Sequence, residues 1–294
     1  MKKIRSFITW WNRPNKSVFA DYAQSFIVII PIAFIIRTWG YGLYKVPSGS
    51  METTLLIGES FISDKFSYTF YADPQRGDII AANEPTFKYS DNRFKRLFEE
   101  YIFGPENWTK RVIGLPGEHI QGKLDEQGHP LIFINNELFD EPYVNKYPLI
   151  YHDIKESPRS YDPQISFYDQ PFYRMDGQMV KRVQKQLQQL GVPGVIHPRT
   201  AQIGASLSDI FDVHLKSKKN GDDKDEYWVM GDNRLGSHDS RGFGTLDRKH
   251  IHGKIVFRLF SVDSHESWMI FDLLFHPFDF WTRIRWSRWM QFVK

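Results

Sequence analysis

The 294 residues include no cysteine. Thiol nucleophiles, disulfide frameworks and cysteine-ligated zinc are therefore excluded, and the compartment must be read from other features. Charge of one sign is also scarce: 38 Lys and Arg against 35 Asp and Glu leave a net charge of +3. No basic stripe runs through the middle of the chain, so a dedicated nucleic-acid binder is disfavoured. There is neither an internal repeat nor a low-complexity tract. What remains is 41% hydrophobic and 25% charged, enough for a sizeable folded core in one large domain or two small ones.

One apolar stretch near the N-terminus stands out. Residues 26–36 contain no polar residue, and extension from Tyr22 to Tyr41 gives about the ~20 residues that a bilayer crossing needs. Arg37 lies near the outer end, where its stem can carry the charge to an interface. Trp39, Tyr41 and Tyr44 suit an interfacial aromatic belt. Pro31 would kink such a helix without forbidding it. Lys2, Lys3, Arg5, Arg13 and Lys16 precede the run, a positive flank that favours a cytoplasmic N-terminus. Two plainer readings compete: a buried helix of a soluble protein, and a secretory signal. The late start and the lack of a small-x-small cleavage site weigh against the second.

After Gly42 the pattern turns to β. Short apolar runs between Gly, Pro, Asn and Asp give candidate strands at Ser60–Ser63, Asp78–Ala82, Trp108–Ile113, His119–Gln121, Leu131–Ile134, Glu226–Met230 and Lys254–Leu259. One short helix is expected within residues 88–106. A second is expected at 175–190, where Val180, Val183, Leu187 and Leu190 fall at near-helical spacing. Residues 216–226 read as a solvated loop. The tail, 267–294, holds four of the nine tryptophans with Arg283, Arg285, Arg288 and Lys294. On a helix, Trp281, Ile284, Trp289 and Phe292 share a side. Lipid headgroup contact and packing on the protein's own core are both open for it.

Three stretches carry candidate chemistry. "PSGSM" holds Ser48 and Ser50. "WTKRVIGLPGE", residues 108–118, holds Thr109, Lys110 and Arg111. "GDNRLGSHDSRGFG", residues 231–244, holds Asp232, Ser237, Asp239 and Arg241. A serine hydroxyl needs a neighbouring base to become a nucleophile, and lysine is one variant of that base. Lysine serves only when neutral, which burial promotes. In a strand Lys110 and Val112 point to one face, which would set the amine among apolar groups. Each stretch alone also has an ordinary reading: a turn at Ser50 and a strand-edge lysine at 110. "RGD" at 76–78 reads as a turn into a strand. The 231–244 loop lacks EF-hand spacing, and His238 has no partner histidine at metal-site spacing, so no metal and no cofactor are expected.

Taken in order behind the apolar run, "PSGSM", "RGDII", "KRVIGLPGE" and "GDNRLGSHDSRGFG" resemble bacterial type I signal peptidases. The resemblance covers residues 42–82, 108–121 and 228–259, and the tail more loosely. It implies a mostly β fold: one N-terminal transmembrane helix, then a large antiparallel, barrel-like catalytic region with a variable second β region. It implies a cytoplasmic segment at 1–21, a span at 22–41, a peptidase region at 42–266 with a variable insert near 122–227, and a membrane-associating tail at 267–294. The enzyme would sit in the bacterial inner membrane with its catalytic region on the outer side.

By position, Ser50 looks like the acylating nucleophile and Lys110 like the general base. Ser237 looks like the hydroxyl that orients the amine. The Ser50 N–H and the Ser48 hydroxyl look like the oxyanion hole, donors worth about 3–4 kcal/mol each in other hydrolases. Asp232, Arg111, Asp239 and Arg241 look like an ion-pair scaffold. Tyr44, Val46, Met51 and Thr109 would line pockets for small side chains, giving an Ala-x-Ala preference before the cut. The implied partners are signal peptides of preproteins and membrane lipid, with no nucleic acid and no metal. A non-catalytic, membrane-tethered binder of secreted proteins is the competing reading. Thr53 departs from the proline usual in the family, and Thr109 from a larger apolar residue. Ser50 follows the proposed span by about nine residues, a reach of at most about 30 Å. That tether suits an enzyme whose substrate is itself embedded in a bilayer.

Overall fold

The computed structural model describes residues 17–52, 54–101, 104–126, 128–144, 149–150, 159–160, 207–262, 264, 269–278 and 280–293. The helix expected at 175–190 and the departure at Thr53 lie outside these residues. The first element is helix α1 (Val18–Ile35), which contains Pro31 and continues through a wider turn at Ile36–Gly40. Residues Asp21–Gly40 are long and apolar enough to cross a membrane, and none of that stretch is buried against the rest of the protein. A core helix would hide one face, so the buried-helix reading loses its support.

Tyr41 is no longer helical. It opens strand β1 (Tyr41–Lys45), which pairs antiparallel with β2 (Glu59–Asp64). Helix α2 (Phe66–Phe70) and strand β3 (Ile79–Asn83) follow. Helix α3 (Arg93–Tyr101) fulfils the expectation of one short helix in 88–106. Strands β4 (Asn107–Gly114), β5 (His119–Leu124), β6 (Pro130–Ile134) and β7 (Glu137–Leu138) come next. Two-residue strands β8 (Leu149–Ile150) and β9 (Arg159–Ser160) pair with each other. Then come β10 (Phe211–His214), β11 (Glu226–Met230), helix α4 (Ser240–Phe243), β12 (Leu246–Asp247), β13 (Ile251–Ser261), helix α5 (Met269–Phe275) and β14 (Gln291–Phe292).

The strands form a large antiparallel sheet in the order β1-β2-β13-β3-β4-β11-β12, with β14 also on β13, and a smaller sheet β10-β5-β6-β7. Among the described residues no pairing joins β1 to β12, so the path stays open where the sequence led us to expect a barrel-like system.

Strands β3 and β11 are apolar along most of their length because both faces are covered, while β4 is apolar in its second half. In β3, β4 and β11 alternate side chains serve different cores. Ile80, Val112, Val229 and Ile251 pack on one side. Ile79 and Ala81 join Val46, Met51, Leu55, Phe61 and Ile255 on the other. Ile113, Trp228 and Met230 meet the smaller sheet through Ile120, Ile132, Ile134 and Leu215. Lys110 and Arg111 thus lie on β4 within this buried sheet, where a side chain's position is over-determined by packing, while Ser50 and residues 231–244 lie in turns and a short helix beside it.

The tail is not the continuous helix drawn from its spacing. After α5 come single helical turns at Phe280–Arg283 and Trp286–Arg288, and then β14. Its arginines hold it flat against the sheet. Arg288 Nε donates to Glu59 Oε1 at 2.6 Å, Arg285 Nη1 donates to the Ile57 carbonyl at 3.0 Å, and Arg283 clasps Asp272. Phe280 and Ile284 make a small core with Val262. The opposite side leaves Phe275, Phe278, Trp281, Trp286 and Phe292 exposed. The arginine contacts and the Phe280–Ile284–Val262 core show that part of the tail packs on the protein itself.

Candidate active site

Ser50 sits in a single helical turn, Gly49–Met51, entered from Ser48 in extended conformation. Three contacts fix that turn. The Glu52 N–H donates to the Gly49 carbonyl at 3.1 Å. The Asn233 N–H donates to the Ser50 carbonyl at 3.1 Å, and Asn233 Nδ2 donates to the Gly49 carbonyl at 3.0 Å. Asn233 was not assigned a role from sequence, although it lies inside the quoted "GDNR" stretch. Nothing in its type or spacing announces that it holds a turn far back in the chain.

Lys110 comes from β4, and its strand neighbours leave it only 7% exposed. Lys110 Nζ and Ser50 Oγ are 3.1 Å apart and hydrogen-bonded. Burial pushes the amine down to about 8 from its usual value near 10.5; Arg241 adds to this, while Asp239 and Asp232 oppose it. A neutral amine at this distance accepts the hydroxyl proton, which is what a serine nucleophile requires.

Beneath the pair lie two ion-pair groups. Asp232 accepts Arg111 Nε at 2.8 Å and Nη2 at 2.7 Å, a two-pronged contact, and also Thr54 Oγ1 at 2.5 Å. Arg111 lies over the Tyr143 ring at 4.0 Å and donates to the Gly77 carbonyl. Asp239 accepts Arg241 Nε and Nη2, both at 2.9 Å, and the Gly231 N–H at 3.0 Å. Arg241 also reaches Asp209 at 2.7 Å and the Arg234 carbonyl at 2.6 Å. The structure thus joins the four residues in two ion pairs, Arg111–Asp232 and Arg241–Asp239. Asp209 and Thr54 are additions that the sequence gave no reason to single out.

An open groove of about 340 Å³ runs over Ser50 and Lys110. Val46, Ser48, Met51, Leu55, Trp108, Thr109 and His238 are among the side chains that line it. Val46, Met51 and Thr109, named as pocket residues, line this groove. Tyr44 is not in that lining: its ring stacks on Phe61, and its hydroxyl lies 3.5 Å from His252 Nδ1. His238, read as a loop histidine, is exposed and meets Trp108 edge-on at 5.6 Å. Arg76–Asp78 is a turn with Gly77 at a φ of 86°, as "RGD" was read.

Ser237 Oγ is buried against Gly231, beside the Asp239 carboxylate. A Cβ at Gly231 would stand 2.3 Å from that Oγ and 2.4 Å from the Ser50 carbonyl oxygen. The second neighbour is backbone and cannot swing aside. Gly231→Ala is therefore expected to displace the Ser50 turn, and a shift near 1 Å at a reacting group costs on the order of 10²-fold in rate. A kcat assay beside a thermal melt checks this: kcat within a few-fold of wild type means the turn yields elsewhere.

A β fold with a buried serine–lysine pair at the floor of an open groove is the layout of a serine hydrolase, and comparison with known proteins gives the same class. A family model described as signal peptidase, peptidase S26, matches residues 19–260. The chain is similar to the signal peptidase I of Aquifex aeolicus, 29% identical over 81% of this chain and 82% of that one. It is also similar to the signal peptidase I of Buchnera aphidicola from Acyrthosiphon pisum, 28% identical over 86% and 79%. A solved signal peptidase I from Enterococcus faecalis covers 63% of this chain and 97% of that one at 19% identity, with a TM-score of 0.28. The chain belongs to the signal peptidase family, peptidase S26, and is a hydrolase of the serine peptidase class.

Proposed function

We propose that this protein is a membrane-bound serine endopeptidase that removes N-terminal signal peptides from exported preproteins. The observation that carries the reading is the 3.1 Å contact between Lys110 Nζ and Ser50 Oγ inside the groove. In the proposed reaction neutral Lys110 takes the Ser50 proton as Oγ bonds to the scissile carbonyl carbon. The resulting oxyanion is held by the Ser50 N–H and the Ser48 hydroxyl. The lysine ammonium then gives its proton to the leaving amine, and the C–N bond breaks to leave an acyl-enzyme. Water, deprotonated by the same amine, releases the acid. Ser237, buried beside the Ser50 turn, is the proposed orienter of the amine.

Between Asn107 and Lys110, β4 pairs with β3 on one side only, because its pairing with β11 starts at Arg111. The unpaired edge beside the groove suits an extended peptide added as a strand. Met51 and Val46 under it would favour small side chains. The free apolar helix at Asp21–Gly40 is the proposed anchor. The basic N-terminal flank would then favour that end in the cytoplasm and the groove on the outer face. The exposed side of the tail would rest on the same lipid surface.

The test is cleavage of a purified preprotein bearing an Ala-x-Ala site by the detergent-solubilised protein. Cleavage at that site is expected. Binding of the leader without cleavage favours the non-catalytic binder instead. The pH profile is a second test. The base works only when neutral, so kcat/KM should climb about tenfold per unit below pH 8 and level off above it. A profile that is flat from pH 6 to 9 contradicts a lysine base.

A further inference from the structure

Strands β5 and β10 of the smaller sheet pair so that His119 faces His214 and Gln121 faces Asp212. Opposed residues share a face, and so do residues two apart on one strand, which puts all four side chains together. His119 Nε2 is 2.5 Å from Asp212 Oδ1. The two imidazoles stack with centroids 3.9 Å apart and planes 11° apart. One ligating atom from each of His119, Asp212 and His214 lies within 4.8 Å of the others. Gln121 Nε2 donates to Asp212 Oδ2 at 2.7 Å and so orients the carboxylate from behind.

We propose that His119, Asp212 and His214 form a binding site for a divalent transition-metal ion of the zinc class on the outer face of the smaller sheet. Two imidazoles and one carboxylate make a donor set that suits zinc, nickel or copper better than magnesium or calcium. Asp-x-His on one strand and His on its neighbour let three atoms converge from one side and leave the solvent side open to water. Metal–ligand bonds near 2.0–2.1 Å set ligand atoms about 3.3 Å apart in a tetrahedron. The 2.5 Å contact must open to reach that, and Asp212 and His214 are exposed enough to do so by side-chain rotation alone. Gln121 supplies the outer hydrogen bond that such sites use to hold a carboxylate in place. The site departs from the expectation of no metal. That expectation weighed His238 by local spacing, and His119 and His214 meet only because their strands pair.

A plain His119–Asp212 hydrogen bond would explain one contact but gives His214 no part, and this separates the two accounts. The full-length protein in detergent is stripped of metal and titrated with zinc chloride by calorimetry. One zinc per chain is expected. Gln121→Ala should weaken binding about tenfold, as an outer-shell change does, and His214→Gln by more. Peptidase activity equal to wild type in both variants shows that they are folded. No stoichiometric zinc binding, or equal zinc affinity in wild type and folded His214→Gln, overturns the proposal.

Discussion

Ser50→Ala is expected to lower kcat for preprotein cleavage by on the order of 10⁶-fold, and Lys110→Met by a similar factor. With alanine at 50 the amine keeps its burial but has no hydroxyl to deprotonate. With methionine at 110 the shape and apolar contacts persist, and the only loss is the base. In the proposed dyad the two act as one unit, so the double variant should cost no more than either single one. Lys110→Arg should be as inactive as Met, since a guanidinium stays protonated at working pH. Single-turnover cleavage of one preprotein by the four variants checks all of this. Losses that multiply in the double variant would mean that the two residues act in separate steps, against the proposed dyad.

The second large effect is on stability. Asp232→Leu is expected to cost about 3–5 kcal/mol, the range for removing one partner of a buried ion pair. Asp232 is 0% exposed and Arg111 3%. The substitution strands a guanidinium over the Tyr143 ring with only the Gly77 carbonyl left to it. The test is the double variant Arg111→Met/Asp232→Leu, which removes both charges. It should regain at least half of the loss in a denaturant titration, because no buried charge is left uncompensated. A single-variant loss below about 1 kcal/mol would place this pair among exposed ones and refute its role as scaffold.

Strand positions were largely legible in the sequence because the core strands are apolar on both faces. Glu226–Met230 was found with its observed ends, and Trp108–Ile113 falls one residue short at each end of β4. β1 was missed because Tyr41 and Leu43 lie exposed on an edge strand, so their pattern merges with that of the apolar helix before them. β14 was missed for a related reason: its place depends on arginine contacts to Glu59 and the sheet, which helical spacing cannot reveal. At the site, the resemblance of the motifs, in their order, to signal peptidases pointed to Ser50 and Lys110. Their approach and the depth of Lys110 needed the fold. Asn233, Thr54 and Asp209 stayed hidden because asparagine, threonine and aspartate are common in loops and their targets are remote in sequence.

The hydrogen bond from Asn233 to Gly49 joins groups 184 residues apart, so the order of synthesis bears on when the site can exist. A ribosome adding about 5–20 residues per second takes roughly 10–40 s to cover that interval. Throughout it Ser50 is already made, yet Asn233, which pins its turn, and Asp232 and Asp239 below it are not. On the proposed mechanism, a chain not yet extended to Asn233 carries Ser50 without its setting and stays chemically idle beside other nascent chains.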